Sequence, residues 1–202
     1  MKLYYSPGAC SLHPHISLRE AGLPFDLVRV DTRAHKTKDG ADYYAINAKG
    51  YVPTLELDDG TRLTEGAVID QYIADRKPES RLAPPNGTME RYRLQEWLNF
   101  IASELHKSFS PLFNPATPDE TKAAFRDRIG KRFAIAEAAL DGRPYLLGEQ
   151  FTVADAYLYN MIRWTQHTGV DMAPFPRLQA FFARVGERPT VKAALEAEKA
   201  SS

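Results

Sequence analysis

Apolar residues come in short runs of changing period over roughly the first 80 positions, and at helical spacing beyond them. Leu3-Tyr4-Tyr5 is a short aromatic run stopped by Ser6-Pro7-Gly8, which predicts a strand ending in a turn. From Cys10 to Ala21 the positions Leu12, Ile16 and Ala21 fit a helix that Gly22 ends. Residues 25–30, Phe-Asp-Leu-Val-Arg-Val, predict a second strand. Thr54–Leu57 and Arg62–Thr64 flank Asp58-Asp59-Gly60 and predict a β-hairpin, because an Asp-Gly turn matches strand twist. A helix follows from about Gly66 to Arg76, with Val68, Ile69, Tyr72 and Ile73 on one face.

With a further helix in the polar stretch after the second strand, the order is β-α-β-α-β-β-α, which resembles an α/β thioredoxin-like domain over residues 1–80. Pro84-Pro85-Asn86-Gly87 cannot continue a helix, and residues 81–87 are read as a linker. Beyond it the pattern is helical throughout: 89–110, 119–140, 153–167, 175–187 and 191–199. Residues 88–202 are therefore expected to form an all-α domain.

The 202 residues suffice for two cores without a metal or disulfide staple. Twenty-six basic residues balance 26 acidic ones, so the chain lacks the overall basic field of a non-specific nucleic-acid binder. One cysteine, Cys10, points to a reducing compartment. The N-terminus does not read as a secretory signal, and no stretch approaches the roughly 20 apolar residues of a membrane span. The expectation is a cytoplasmic protein with no nucleic-acid or membrane partner.

Cys10 follows a strand and turn and opens a helix, where the helix dipole favours a thiolate. A small half-buried apolar side chain fits the same position. Val52-Pro53 stands before a strand; it is either an ordinary trans proline or a cis one that turns the Val52 backbone outward to pair with an extended peptide. Glu65-Gly66 opens a helix, where Glu65 either compensates the dipole or joins the free N–H groups in holding an amino-acid head group. Asn99, Ser103 and His106 share a face at i, i+4, i+7, with Lys107 adjacent. That stripe is either a solvated face or the polar side of a cleft lined by the aromatic segment 109–113. Thr152 and Asp155 have capping-box spacing and should start a buried helix. The five histidines lack cysteine or paired-carboxylate support, so no metal site is expected; His13 and His15, at i, i+2, point apart on a helix.

Taken in order, Tyr5-Ser6-Pro7-Gly8-Ala9-Cys10-Ser11-Leu12, Asn47-Ala48-Lys49-Gly50-Tyr51-Val52-Pro53 and Leu63-Thr64-Glu65-Gly66 resemble a bacterial beta-class glutathione transferase. So do Glu96-Trp97-Leu98-Asn99-Phe100-Ile101, Glu104-Leu105-His106-Lys107 and residues 151–158, Phe-Thr-Val-Ala-Asp-Ala-Tyr-Leu. The resemblance covers essentially the whole chain.

It implies a detoxification enzyme and homodimer that adds reduced glutathione to a small hydrophobic electrophile. Glutathione is a co-substrate, and no resident cofactor is implied. By position, Cys10 lies beside the glutathione sulfur and forms a mixed disulfide with it. Val52, before a cis Pro53, pairs with the cysteinyl unit, while Glu65 and Gly66 hold the γ-glutamyl end. Asn99, Ser103, His106 and Lys107 reach in from the helical domain. The family's lysine for the glycyl carboxylate is replaced by His35, with Lys36 next to it. Tyr5 and Ser11 rival Cys10 as the thiol-activating group. Glutathione-dependent thiol–disulfide exchange, reductive dehalogenation and non-catalytic carriage of hydrophobic ligands remain alternative functions.

Overall fold

A computed structural model describes residues 1–200. They form two compact units, one from Met1–Ala83 together with the chain from Glu187 onward, the other from Pro84–Gly186.

In the first unit β1 (Lys2–Tyr5) pairs in parallel with β2 (Asp26–Asp31), joined by α1 (Leu12–Ala21). A parallel pair needs such a crossover, and a helix is its usual form. The left-handed Gly22, φ 63°, ends α1 by donating its N–H to Arg19 and Leu18 carbonyls. On its other edge β1 runs antiparallel to β4 (Thr54–Glu56), and β4 to β5 (Arg62–Thr64). The turn between them closes through Leu57 N–H to Thr61 O at 2.8 Å, with Gly60 at φ 85°. With β3 (Lys36–Thr37) outermost, the order is β3-β2-β1-β4-β5. Strand alternation sends Tyr5 toward His15 of α1, their rings 6.3 Å apart. It sends Tyr4 to the other face, against Tyr43, Val30 and Val52. The helix α2 (Gly66–Arg76) packs on α1.

The helix expected between the second and third predicted strands is only a 3-10 turn, Tyr43–Ala45, preceded by β3. The intervening Lys-Thr-Lys-Asp-Gly-Ala-Asp holds too few apolar positions to stabilise a longer helix. Turn chemistry takes over: Asp42 accepts from the Tyr44 N–H, and Gly40 takes φ 88°.

A second difference concerns the C-terminus. The expected helical domain extends to residue 202, whereas α8 (Pro189–Lys199) packs on α1 in the first unit. Polar contacts account for this: Arg188 grips the Glu20 carboxylate at 2.6 and 2.7 Å. Glu198, 3 % exposed, accepts from the Gly8 N–H at 3.0 Å and meets His15 Nδ1 at 3.1 Å. Along the chain the first unit gives way to the second between Ala83 and Pro84.

All regular elements of the second unit are helices: α3 (Met89–Phe100), α4 (Lys107–Phe113), α5 (Asp119–Ala139), α6 (Val153–Thr168) and α7 (Pro176–Gly186). Thr88 caps α3 by accepting from the Arg91 N–H. Nearly every residue of α6 is buried, as befits the central helix of a bundle. Glu137 of α5 caps α7 by accepting the N–H groups of Arg177 and Leu178 at 3.0 and 2.9 Å. Among the described residues no helix is long and apolar enough to cross a membrane.

Candidate functional site

Cys10 stands in the turn between β1 and α1, half-buried. The turn is tightly held. Ser11 Oγ accepts the Ser6 N–H at 3.1 Å and donates to the Ser6 carbonyl at 3.3 Å, while Glu198 takes the Gly8 N–H. The Cys10 thiol donates to the carbonyl of Val52, Sγ to O 3.1 Å. Ser11 is fully buried and Tyr5 is 1 % exposed, so of the three candidate activators only Cys10 stands partly open to solvent.

The Val52–Pro53 peptide is cis. The loop leading to it is fixed from beneath: Asn47 Nδ2 and the Tyr43 hydroxyl donate to the Tyr51 carbonyl at 2.7 and 2.9 Å. Burial pushes the Tyr43 pKa up, keeping its proton for that bond. The remaining lone pairs of Tyr43 therefore accept from Thr54 Oγ1, 2.8 Å away. A sequence scan passes over Tyr43 because an exposed 3-10 turn gives no sign that one aromatic is fully buried.

Glu65 and Gly66 lie at the start of α2, where the first N–H groups have no partner inside the helix. Glu65 adopts φ 68°, a left-handed conformation costly for a residue with a side chain. Its exposed carboxylate holds Lys49 Nζ at 2.5 Å, and Lys49 also reaches Thr64 Oγ1 at 3.1 Å. An ammonium group thus already sits where an amino-acid head group is expected to place its own. His35, at φ 51°, lays its ring on Tyr44 with centroids 4.4 Å apart and its Nδ1 buried without a hydrogen-bond partner. The ring also borders Gly50, where a Cβ would stand 3.1 Å from Nδ1. Lys36, in β3, is exposed. Cys10, His35, Val52, Pro53, Glu65 and Gly66 all belong to the first unit.

In the second unit, Ile101–His106 is a π-helical segment between α3 and α4. The wider π turn carries more residues than an α turn, and such segments are rare and frequently found at functional sites. It changes the face that α-helical spacing predicts. Asn99, Ser103 and Lys107 are exposed, but His106 turns partly inward. His106 Nδ1 meets the Tyr157 hydroxyl at 2.6 Å, and its ring stands edge-on to Trp164 at 4.9 Å. Ser103 Oγ donates back to the Asn99 carbonyl at 2.8 Å. Of the aromatic segment after it, Phe109 is fully buried and Phe113 is half-exposed against Trp164. The π turn escapes sequence reading because no single residue type signals it.

At α6 the capping box is formed in both directions, and Asp155 is fully buried. Among the described residues no group of His, Cys, Asp or Glu side chains gathers as a metal site.

Family models match both parts of the chain: "Glutathione S-transferase, N-terminal domain" over residues 8–76 and "Glutathione S-transferase, C-terminal domain" over 100–189. Glutathione S-transferase GstA of Escherichia coli O157:H7 is 48% identical over 98% of both chains. Glutathione S-transferase GST-4.5 of Xanthomonas campestris is 38% identical, again over 98% of each. Among solved structures, a ternary complex of BphK, a bacterial GST, matches with a TM-score of 0.97 and 58% identity over 98% of this chain and 100% of that one. A bacterial beta-class glutathione S-transferase from Sphingomonas chungbukensis matches at TM-score 0.95 and 47% identity, covering 98% of each chain. Two family models in the expected order, relatives aligned end to end, and a cysteine turn facing a cis-proline loop agree: this chain belongs to the glutathione S-transferases, as a bacterial beta-class glutathione transferase.

Proposed function

We propose that reduced glutathione lies extended along the first unit with its sulfur beside Cys10. The observation that carries this reading is the Cys10 thiol bonded to the Val52 carbonyl, immediately before a cis proline. A thiol-bearing ligand that pairs with the Val52 backbone then brings its own sulfur next to Cys10. Glu65 takes the ligand's ammonium in place of Lys49, and the opening N–H groups of α2 take the γ-glutamyl carboxylate. His35, held over Gly50, and the exposed Lys36 are the candidate cations for the glycyl carboxylate. The buried Tyr5 and Ser11 support the shape of the turn and are not expected to touch the sulfur.

The bound thiolate attacks an electrophilic carbon of a small hydrophobic substrate; a C–S bond forms and the leaving group departs with the electron pair. In the helical unit the family resemblance makes Asn99, Ser103, His106 and Lys107 the candidate contributors, and Tyr157 orients His106. The reading includes a homodimer and a cytoplasmic setting.

The lone thiol favours a second activity on the same site. The Cys10 thiolate attacks a glutathione mixed disulfide, forming a Cys10–glutathione disulfide and expelling the other thiolate. A second glutathione thiolate then attacks the glutathione sulfur of that disulfide, forming oxidised glutathione and expelling the Cys10 thiolate.

Calorimetry with reduced glutathione tests the binding, and turnover of a chlorinated nitroaromatic tests conjugation. Cys10→Ala is expected to abolish the glutathione adduct seen by mass spectrometry and the reduction of mixed disulfides. The reading fails if the wild-type chain binds no glutathione.

A further inference from the structure

Beneath the start of α2 lies a buried polar cluster that the proposed chemistry does not use. His13 Nδ1 meets Asp70 Oδ2 at 2.6 Å, and Ser17 Oγ donates to Asp70 Oδ1 at 2.8 Å and to the His13 carbonyl at 3.0 Å. None of the three side chains is more than 1 % exposed. Such burial excludes contact with a ligand. It also makes the cluster costly unless its members hold one another in place.

The geometry links two helix starts. His13 and Ser17 are one turn apart on α1, and His13 comes three residues after Cys10. Gly66 and Asp70 are one turn apart on α2, and Gly66 follows the strained Glu65. The Cε1–Nε2 edge of His13 lies against Gly66, so close that a Cβ there would stand 2.6 Å from Nε2. Asp70 fixes the ring from its other side. The imidazole is thus wedged between the carboxylate and the backbone that opens α2.

We infer that His13 and Asp70 are positioning residues that hold the Glu65–Gly66 backbone in the conformation that receives the γ-glutamyl end of glutathione. This rests on the proposed placement of glutathione along the first unit. A left-handed Glu65 persists only if its surroundings enforce it, and the pinned ring under the next residue supplies that constraint. Through the same ring the α1 turn that follows Cys10 is tied to the far end of the ligand.

The test uses the full chain and two thiols, glutathione and cysteinylglycine, which lacks the γ-glutamyl group. The double variant H13A/D70N removes the ring and the buried charge together, so no carboxylate is stranded. It is expected to raise the KM for glutathione by about tenfold with kcat at saturation little changed, since a displacement of about 1 Å is enough for effects of that size. Cysteinylglycine should be handled as before, so the preference for glutathione shrinks by the same factor. His13→Asn, which keeps a donor near the Nδ1 position, should recover most of it. The inference is overturned if the double variant keeps the wild-type preference. It is equally overturned if both thiols lose activity in parallel and His13→Asn recovers nothing, since that marks general damage to the fold. Should H13A/D70N fail to fold, Ser17→Ala is read by the same preference, which must again shrink. If wild type itself shows no preference between the two thiols, it is the underlying placement of glutathione that fails.

Discussion

Asp155 accepts a hydrogen bond from the N–H of Leu146, nine residues before it, at 2.9 Å. Its other oxygen takes the Thr152 N–H at 2.8 Å and the Thr152 hydroxyl at 2.9 Å. One fully buried carboxylate thus caps α6 and anchors the loop that precedes it. Spacing alone suggests a loss of order 1 kcal/mol on removing the cap. The Leu146 contact raises the expectation, because Asp155→Ala strands two buried N–H groups. We expect a loss of about 3 kcal/mol, read from the urea midpoint, with Asp155→Asn losing less.

Glu65→Gln separates binding from stability. The Lys49–Glu65 pair is exposed at both ends, so its loss should change unfolding free energy by less than about 0.5 kcal/mol. Glutathione affinity should fall by about tenfold or more, because a charged acceptor for the ligand ammonium is lost. Calorimetry beside a thermal melt checks both halves; loss of stability without loss of affinity would remove Glu65 from the binding site.

Gly66→Ala is expected to destabilise by about 1–3 kcal/mol through overpacking against His13. Combined with His13→Ala, which empties that space, the glycine substitution should cost little. The double-mutant cycle should therefore show coupling of at least about 1 kcal/mol. Additive effects would mean the ring does not press on this backbone.

Tyr157→Phe removes the hydroxyl from His106 while keeping the edge-on ring contact. The fold should survive with a loss of about 1 kcal/mol. Conjugation should slow several-fold, since a catalytic imidazole depends on the hydrogen bond that orients it. Unchanged turnover would leave His106 an aromatic filler beside Trp164.

Local signals made most of the elements readable in advance. The Asp58-Asp59-Gly60 turn, the Gly22 stop and the Thr152–Asp155 cap each act over a few residues, and each stands as read. Even the divergence of His13 and His15 follows from i, i+2 spacing: one turns to Asp70, the other to Glu198. What escaped reading was set by partners distant along the chain. Asp70 lies 57 residues from His13 and Glu198 lies 183 from His15, so no window along the sequence shows either pair. Glu65 and Gly66 were legible as a helix start, but the left-handed backbone at a glutamate was not. The inward turn of His106 was hidden for a different reason: spacing arguments assume 3.6 residues per turn, and a π segment breaks that assumption.

The polar anchors of α8 have a consequence for how the protein is made. The turn bearing Cys10 leaves the ribosome well before the carboxylate that holds its Gly8 N–H, which is encoded 190 residues later. Nascent chains generally fold from the N-terminus onward, but here that order leaves the Cys10 loop without this strut until α8 has been made. A chain stalled before α8 would carry a thiol in an unfinished cradle, so competence for glutathione should arise only once that helix has emerged.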